Sequence, residues 1–231
     1  MLMNKLHFNT VFICGLAVVA FLQSCKKDDK VVPEVPVTNQ SFTQSFETMS
    51  AATAQGWVFR NLSDDPGTGW RVRANTLFYG DPPFDGSGLL YTNYLASNGF
   101  DGNISAWAIS PARIFQNGDK ISFYTLSDGS IDGYGDRLQL RLNVFNTSDS
   151  IGELSSDIGN FTKPLLDINP LYKITSPGDF PTTWTKFEAT ISGLNKPDSG
   201  RFAIRYFVEI QGGANADELA VDKLEYKSVS Q

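Results

Sequence analysis

The sequence predicts an all-β jelly-roll sandwich, and three observations carry that prediction. Two segments alternate strictly between apolar and polar residues, turn-forming clusters recur between short apolar runs, and no mature stretch of about a dozen residues shows a clean helical stripe. From Arg137 to Val144, Leu138, Leu140, Leu142 and Val144 fall on one face, with Arg137, Gln139, Arg141 and Asn143 on the other. From Arg201 to Ile210, Phe202, Ile204, Tyr206, Val208 and Ile210 share a face in the same way. Period-two alternation places one face in a core and the other in solvent, which is antiparallel sheet behaviour.

The remaining strands are expected at Ser41–Thr48, Gly56–Asn61, Trp70–Ala74, Gly88–Tyr94, Ser105–Ser110, Lys120–Leu126, Thr183–Ile191 and Glu218–Lys227. Between them stand Asp64-Asp65-Pro66-Gly67, Asp81-Pro82-Pro83, Asp128-Gly129 and Ser176-Pro177-Gly178. Such residues favour turns because Gly tolerates positive φ, Pro fixes φ, and Asx side chains bond their own backbone. Ser45–Gln55 has room for one helical turn. About ten short strands without a helix fit a single β-sandwich of the jelly-roll kind. Trp57, Trp70, Trp107 and Trp184 lie within apolar strand patterns, which assigns them to the core.

The N-terminus follows other rules. Lys5 is its one charged residue before Lys26, and Val11 to Leu22 is apolar apart from Cys14 and Gly15. About a dozen apolar residues are too few to span a bilayer, which needs roughly 20, but suit the centre of a signal peptide. Leu22-Gln23-Ser24-Cys25 resembles the lipobox of bacterial lipoproteins, in which the Cys is acylated and becomes the mature N-terminus. That reading makes 1–24 a lipoprotein signal peptide and 25–40 a flexible tether. It leaves 41–231 as one jelly-roll domain. The alternatives are an ordinary signal peptide ending in Ser-Cys, or an uncleaved anchor. Lys26-Lys27-Asp28-Asp29-Lys30 and the Pro-punctuated segment after it have too little apolar surface to fold. Lys followed by two acids also resembles an export signal for the outer face of the outer membrane, and is equally readable as a hydrophilic spacer. The expected location is therefore the outer membrane, lipid-anchored and exposed on the cell surface.

Composition narrows function mainly by exclusion. The formal net charge is −6, and removing residues 1–24 takes away one basic residue and no acidic one. A domain this acidic repels phosphate backbones, so nucleic acid is not an expected partner. The single His, His7, and both Cys, Cys14 and Cys25, lie in the signal or under lipid. The domain is thus expected to have no disulfide, no Ser-His-Asp or Cys-His nucleophile, and no Cys/His zinc site. Catalysis would have to rest on carboxylates, Tyr, Lys, Arg or an oxygen-ligated metal.

Several segments, taken in order, resemble a known family. They are Ser45-Phe46-Glu47, Gly56-Trp57, an acidic loop ending in Gly69-Trp70, Ala106-Trp107-Ala108-Ile109-Ser110-Pro111 and Gly118-Asp119-Lys120-Ile121-Ser122-Phe123-Tyr124. After these come Asp136-Arg137-Leu138-Gln139-Leu140-Arg141, Pro181-Thr182-Thr183-Trp184-Thr185-Lys186-Phe187, Ile191-Ser192-Gly193-Leu194, Gly200-Arg201-Phe202-Ala203-Ile204-Arg205-Tyr206 and Ala220-Val221-Asp222-Lys223-Leu224. Together they resemble the choice-of-anchor J domain, a relative of gingipain cleaved-adhesin modules and, more distantly, of MAM domains. The resemblance covers nearly all of 41–228. It implies a galactose-binding-like jelly roll on surface-anchored or secreted proteins, with calcium and without catalysis. The loop Asp64 to Gly69 is shorter and less acidic than the family's, which argues against a second metal.

Four acids are the candidate calcium ligands. In the last strand Ala220, Asp222, Leu224 and Tyr226 share a face that is apolar except for Asp222. Either a bulge switches faces or Asp222 points inward, where an unpaired carboxylate is costly. Calcium, which takes six to eight oxygens, would satisfy it, and so would backbone N–H groups or an Arg. The family resemblance implies Glu47 beside Asp222, with further ligands from Asp64 and Asp65. Asp128 to Asp136 lacks the spacing of a calcium loop, and its acids read as turn caps.

Phe84, Tyr94, Phe100, Tyr134 and Phe180 fall in expected loops or strand ends. There they can stack on sugars or plug the ends of the sandwich. Asp149-Ser150-Ile151 resembles a short O-glycosylation motif of exported bacterial proteins, though three residues also match by chance. The favoured partner is a glycan or surface protein bound by a non-catalytic adhesion module. The alternatives are a carboxylate-based glycoside hydrolase or lyase, or a structural subunit of a surface assembly.

Overall fold

Alternation does produce two packed antiparallel sheets. The computed structural model describes residues 38–74, 81–99, 102–127, 134–175, 179–209 and 216–229. The expectations at Cys25, the signal peptide, most of the tether, Phe100, Asp128–Asp132, Ser176–Gly178 and Ile210 lie outside those residues. One sheet contains β1 (Phe42–Gln44), β3 (Arg71–Ala74), β4 (Gly88–Asn93), β7 (Lys120–Ser127), β10 (Thr185–Thr190) and β12 (Glu218–Lys227). Its order is β10-β7-β12-β4-β3, with β1 also pairing β12, and we call it sheet A. The other contains β2 (Val58–Asn61), β5 (Ile104–Ile109), β6 (Arg113–Phe115), β8 (Leu138–Asn143), β9 (Lys163–Ile168) and β11 (Asp198–Val208). Its order is β2-β5-β11-β8-β9, with β6 also pairing β11, and we call it sheet B. The strands pair antiparallel, and neighbours far apart in sequence make the crossovers of a jelly roll.

The inner faces match the sequence pattern. Leu138, Leu140, Leu142, Phe202, Ile204, Tyr206 and Val208 join one buried core with Ile121, Phe123, Leu90, Val221 and Leu224. Phe42, Trp57, Phe202 and Tyr226 form an aromatic cluster with centroid separations of 5.8–6.5 Å. It joins β1 and β12, the two ends of the domain's chain, through the pair Phe42↔Tyr226.

Three differences from the sequence reading have physical causes. A six-residue helix, α1 (Met49–Ala54), forms where the sequence leaves room for one turn, and Thr48 caps it by accepting the Ala51 N–H at 3.1 Å. The strands β6 and β9 are additions: β6 has three residues, and β9 carries Pro164 and pairs with β8 through a register shift at Leu140/Arg141. A proline belongs at a sheet edge, and β9 is one. Finally, the outer face of sheet B is not solvated. Gln139, Arg141, Asn143 and Arg205 are buried, and so is Trp107, which packs outward with Ile151 and Phe161 rather than into the central core. Trp184 likewise faces outward, against Leu89, Tyr91, Leu126 and Ala220 of sheet A, whereas Trp57 and Trp70 are core residues.

Candidate binding site on the outer face of sheet A

The register sets what the outer face of sheet A presents. In β4 the inward residue is Leu90, which opposes Val221, so Leu89 and Tyr91 point outward with Ala220 and Leu126. In β3, Arg71 opposes Tyr91 and Arg73 opposes Leu89, which puts both guanidinium groups on the same outer face. Arg71 Cζ lies 4.9 Å from the Tyr91 ring centroid and Arg73 Cζ lies 5.2 Å from it. The Tyr91 hydroxyl donates to Glu218 Oε2 at 2.7 Å. Burial, and then Glu218, push the Tyr91 phenol well above its ordinary pKa, so it stays protonated and donating. Arg71, Val72, Arg73 and Tyr91 line a cleft of about 290 Å³. Arg71 Nε has no hydrogen-bond partner among the described residues.

Sequence reasoning misses these residues, although their signal is present. Arg71-Val72-Arg73 and Leu89-Leu90-Tyr91 alternate like any strand, so their odd positions must share a face.

The expected aromatic residues divide. Phe84 is 38% exposed and stacks on Tyr124 at 3.6 Å, with Trp184 edge-on at 6.1 Å and Lys223 Nζ 5.7 Å from its ring. Trp184 Nε1 donates to the Pro82 carbonyl at 3.0 Å, which pins this corner to the outer face. Tyr94, in a 3-10 turn capped by Asn93, and Tyr134 are 45% and 43% exposed. Phe180 is 4% exposed and belongs to the central core, so it is corrected from ligand contact to end plug. The adjacent Pro181 carbonyl accepts from the Ser127 N–H at the end of β7.

The four acids expected around calcium also divide. Asp222 is fully buried at a register shift, next to Lys223 at φ 45°, so the bulge switches the faces of the strand: Asp222 opposes Tyr124 on the outer face with Ala220, whereas Leu224, beyond the bulge, is in the core. Its oxygens accept the N–H groups of Asp85 at 2.9 Å and Lys223 at 2.6 Å. Burial raises its pKa to about 6 despite those bonds. Glu47 reaches the same loop, where Ser87 donates its N–H at 3.0 Å and its hydroxyl at 2.7 Å. Gly86 sits at φ 69°, which favours glycine, and a Cβ there would fall 1.7 Å from Glu47 Oε1 and displace that side chain.

Asp64 and Asp65 are elsewhere. The Asp64 carboxylate accepts the Asn103 N–H at 2.9 Å and the Ser155 hydroxyl. The Asp65 carbonyl accepts the Asn98 N–H at 2.8 Å, and its carboxylate accepts from Asn98 Nδ2 at 3.5 Å. This loop bridges to Ser97, beyond the end of β4, whereas Asp222 and Glu47 flank its start at Gly88. Six strand residues, about 20 Å at roughly 3.3 Å each, separate the two sets. Among the described residues no three acidic, His or Cys side chains gather as metal ligands. Glu47 and Asp222, the latter a buried carboxylate that its amides compensate incompletely, both accept from one loop, at Ser87 and Asp85. Asp64 and Asp65 do not join them.

At the O-glycosylation-like motif, Asp149 pairs with Arg60 at 2.8 Å, Ser150 is exposed and Ile151 is buried.

No family model matches the chain, and no curated protein sequence matches it significantly. Among solved structures, the K1 cleaved adhesin domain of Lys-gingipain from Porphyromonas gingivalis is similar, with a TM-score of 0.53 at 20% identity over 82% of this chain and 98% of that one. The K3 cleaved adhesin domain of the same protein gives 0.51 at 13% identity over 84% and 99%. A family 11 carbohydrate-binding module from Clostridium thermocellum superposes more loosely, at 0.43 and 12% identity over 82% and 96%. At these identities the likeness to the adhesin domains is one of fold: this chain has the same β-sandwich architecture.

Proposed function

We propose that this chain is a cell-surface lipoprotein whose β-sandwich, of the choice-of-anchor J kind, is a non-catalytic adhesion and carbohydrate-binding module. The observation that carries the reading is the polar, aromatic-floored cleft of Arg71, Arg73 and Tyr91 on an outer sheet face. Polar groups fixed on rigid strands suit the recognition of a hydroxyl-rich ligand. The adhesin domains that share the fold support an adhesive role. The lining of the cleft is two arginines, a valine and a tyrosine, and the Glu218 carboxylate beside it accepts the Tyr91 hydroxyl, which burial and Glu218 keep protonated.

Calcium belongs to the same proposal. Glu47 and Asp222 would hold it, with the remaining ligands drawn from carbonyl or hydroxyl oxygens and water. A bound ion would neutralise the buried Asp222 and fix the loop at Phe84–Gly88 that borders the outer face.

Anchoring rests on Leu22-Gln23-Ser24-Cys25. No helix among the described residues is long and apolar enough to cross a membrane. Cys25→Ala should abolish palmitate labelling and release the protein from the membrane fraction. A variant that still labels and fractionates as before removes the lipoprotein reading. For function, the purified chain is applied to a glycan array, with reducing-sugar release measured on every hit. Saturable binding without release is expected. Turnover lost on mutating one Asp or Glu would replace the module with an enzyme, and an array without hits would favour a structural subunit.

A further inference from the structure

We infer that Asn98 is a site of spontaneous modification, where the Gly99 backbone nitrogen closes on the Asn98 side chain and the amide becomes an aspartate or an isoaspartate. In that step the Gly99 nitrogen loses its proton and bonds to Asn98 Cγ, the Cγ–Nδ2 bond breaks, and Nδ2 leaves as ammonia. Water then opens the succinimide at one carbonyl or the other, so the net change consumes water and releases ammonia. A following glycine permits the closure, because no side chain obstructs the attacking nitrogen. The chain has two Asn-Gly pairs, Asn98-Gly99 and Asn117-Gly118, and the fold treats them differently.

Asn117-Gly118 is locked. It lies in the turn between β6 and β7, where Asn117 Nδ2 donates to the Leu194 carbonyl at 2.7 Å and Asn117 Oδ1 accepts the Leu194 N–H at 2.9 Å. The Gly118 N–H donates to the Ile191 carbonyl at 2.8 Å, and the buried Asp119 carboxylate closes the turn by accepting the Gln116 N–H at 2.9 Å. The attacking nitrogen and both ends of the target amide are engaged, and these bonds must open before the ring can close. Asn98-Gly99 has no such lock. Asn98 is exposed, and no described atom lies within 4 Å of where a Cβ on Gly99 would stand. Among the described residues no acceptor meets the Gly99 N–H, and the Asn98 amide is held through Nδ2, at 3.1 Å from the Pro66 carbonyl and 3.5 Å from Asp65 Oδ1.

The modification acts on a clasp. Asn98 fastens the Asp64–Gly69 loop beyond the end of β4, because its N–H donates to the Asp65 carbonyl at 2.8 Å and its Nδ2 to Pro66. A carboxylate at 98 has no proton to give the Pro66 carbonyl, and it sets a like charge against Asp65. An isoaspartate also lengthens the main chain by a methylene, next to the bridge between Pro66 and Ser97. The product therefore unfastens this loop and leaves the pairing of the core strands untouched.

The test incubates the purified full chain in detergent at mildly alkaline pH and follows each Asn-Gly pair by peptide mass spectrometry, with isoaspartate counted by isoaspartyl methyltransferase labelling. Conversion at Asn98 should outrun conversion at Asn117 by about tenfold or more, since more hydrogen bonds must open at Asn117. In urea the two rates should converge, and Gly99→Ala, whose Cβ meets open space, should slow Asn98 alone. Equal or reversed rates in the folded chain overturn the inference, and so does an Asn98 that stays intact while both pairs convert in urea. Asn98→Asp, which stands in for the aspartate product, should speed hydrogen exchange at the Gly67 and Thr68 amides, whose acceptors are the Ala96 and Leu95 carbonyls. Unchanged exchange at those two amides would overturn the unfastening of the loop.

Discussion

The outer faces of the two sheets carry arginines in the same alternating pattern and use them in opposite ways. On sheet B, Arg205 is 1% exposed and donates to Ser105 Oγ at 3.1 Å, to Gln139 Oε1 at 3.4 Å and to the Ser155 carbonyl. Its guanidinium lies 3.6 Å from the Phe207 centroid and 4.7 Å from that of Trp107. Arg137 forks onto Asp167 at 2.7 and 2.8 Å, and Arg141 Nε donates to the Phe161 carbonyl at 2.8 Å. On sheet A, Arg71 also sits over an aromatic ring, but its Nε meets no acceptor among the described residues. The difference lies in what covers the strands. The segment between β8 and β9 folds over sheet B and brings the Ser155 and Phe161 carbonyls as acceptors. On sheet B that cover meets the guanidinium donors, whereas on sheet A the buried Arg71 Nε is left without an acceptor among the described residues.

Substituting the two arginines is the most direct way to break this comparison. Arg205→Ala should cost about 3 kcal/mol or more, because it opens a cavity beside Trp107 and Phe207 and leaves buried acceptors unpaired. At roughly 2–4 °C per kcal/mol, the melting temperature should fall by about 6 °C or more. Arg71→Ala loses one cation–π contact at a half-buried site and should cost about 1 kcal/mol at most. Equal losses in thermal denaturation would make Arg71 as structural as Arg205. Burial, then Arg141 and Arg137, lower the Arg205 pKa to about 9, so its charge is itself under strain that the acceptors offset.

The comparison also explains what can be read from the sequence. Alternation identifies the inner faces residue by residue, since an inward Leu140 or Ile204 follows from period two alone. It cannot say which outward face will be covered, because the cover comes from a segment with no strand signal. Trp107 and Arg205 therefore look like a core residue and a solvated one, and the fold stacks them together. Asp222 is legible because one carboxylate on an apolar face is a local conflict, and the bulge sits there. The grouping of Asp64 and Asp65 with it fails for a long-range reason, since β4 runs between the two ends.

Calcium sharpens the contrast at Asp222, the anion on sheet A that protein groups compensate incompletely. An ion that binds only the folded chain adds about 2.7 kcal/mol at a hundredfold excess over Kd, which is several degrees of melting temperature. Wild type should melt that much higher in millimolar calcium than in EDTA, and Asp222→Asn should lose most of the difference. A wild-type melt unmoved by chelation would leave Asp222 to the Asp85 and Lys223 amides alone.

The last expected effect concerns the same carboxyl without metal. Burial raises its folded-state pKa to about 6, above the 3.8 of an unperturbed Asp. Between those values the folded chain holds a proton that the unfolded chain has released, so this group's contribution to stability falls as pH rises from 3.8 to about 6 and is flat above. Other acids carry the opposite sign. The Glu153 and Leu154 N–H groups hold Asp157 below the ordinary range, and Lys120, against a smaller opposing effect of burial, shifts Glu188 downward, so their contributions are lost as pH falls. A raw stability curve mixes the two signs, and the difference between wild type and Asp222→Asn in EDTA isolates one. Measured by urea denaturation from about pH 4 to pH 7, wild type should lose ground steadily against the variant up to about pH 6 and then hold level. A flat difference, or a wild type that gains on the variant as pH rises, would mean that the amides fully compensate Asp222, and that sheet A leaves no buried anion exposed to its own burial cost.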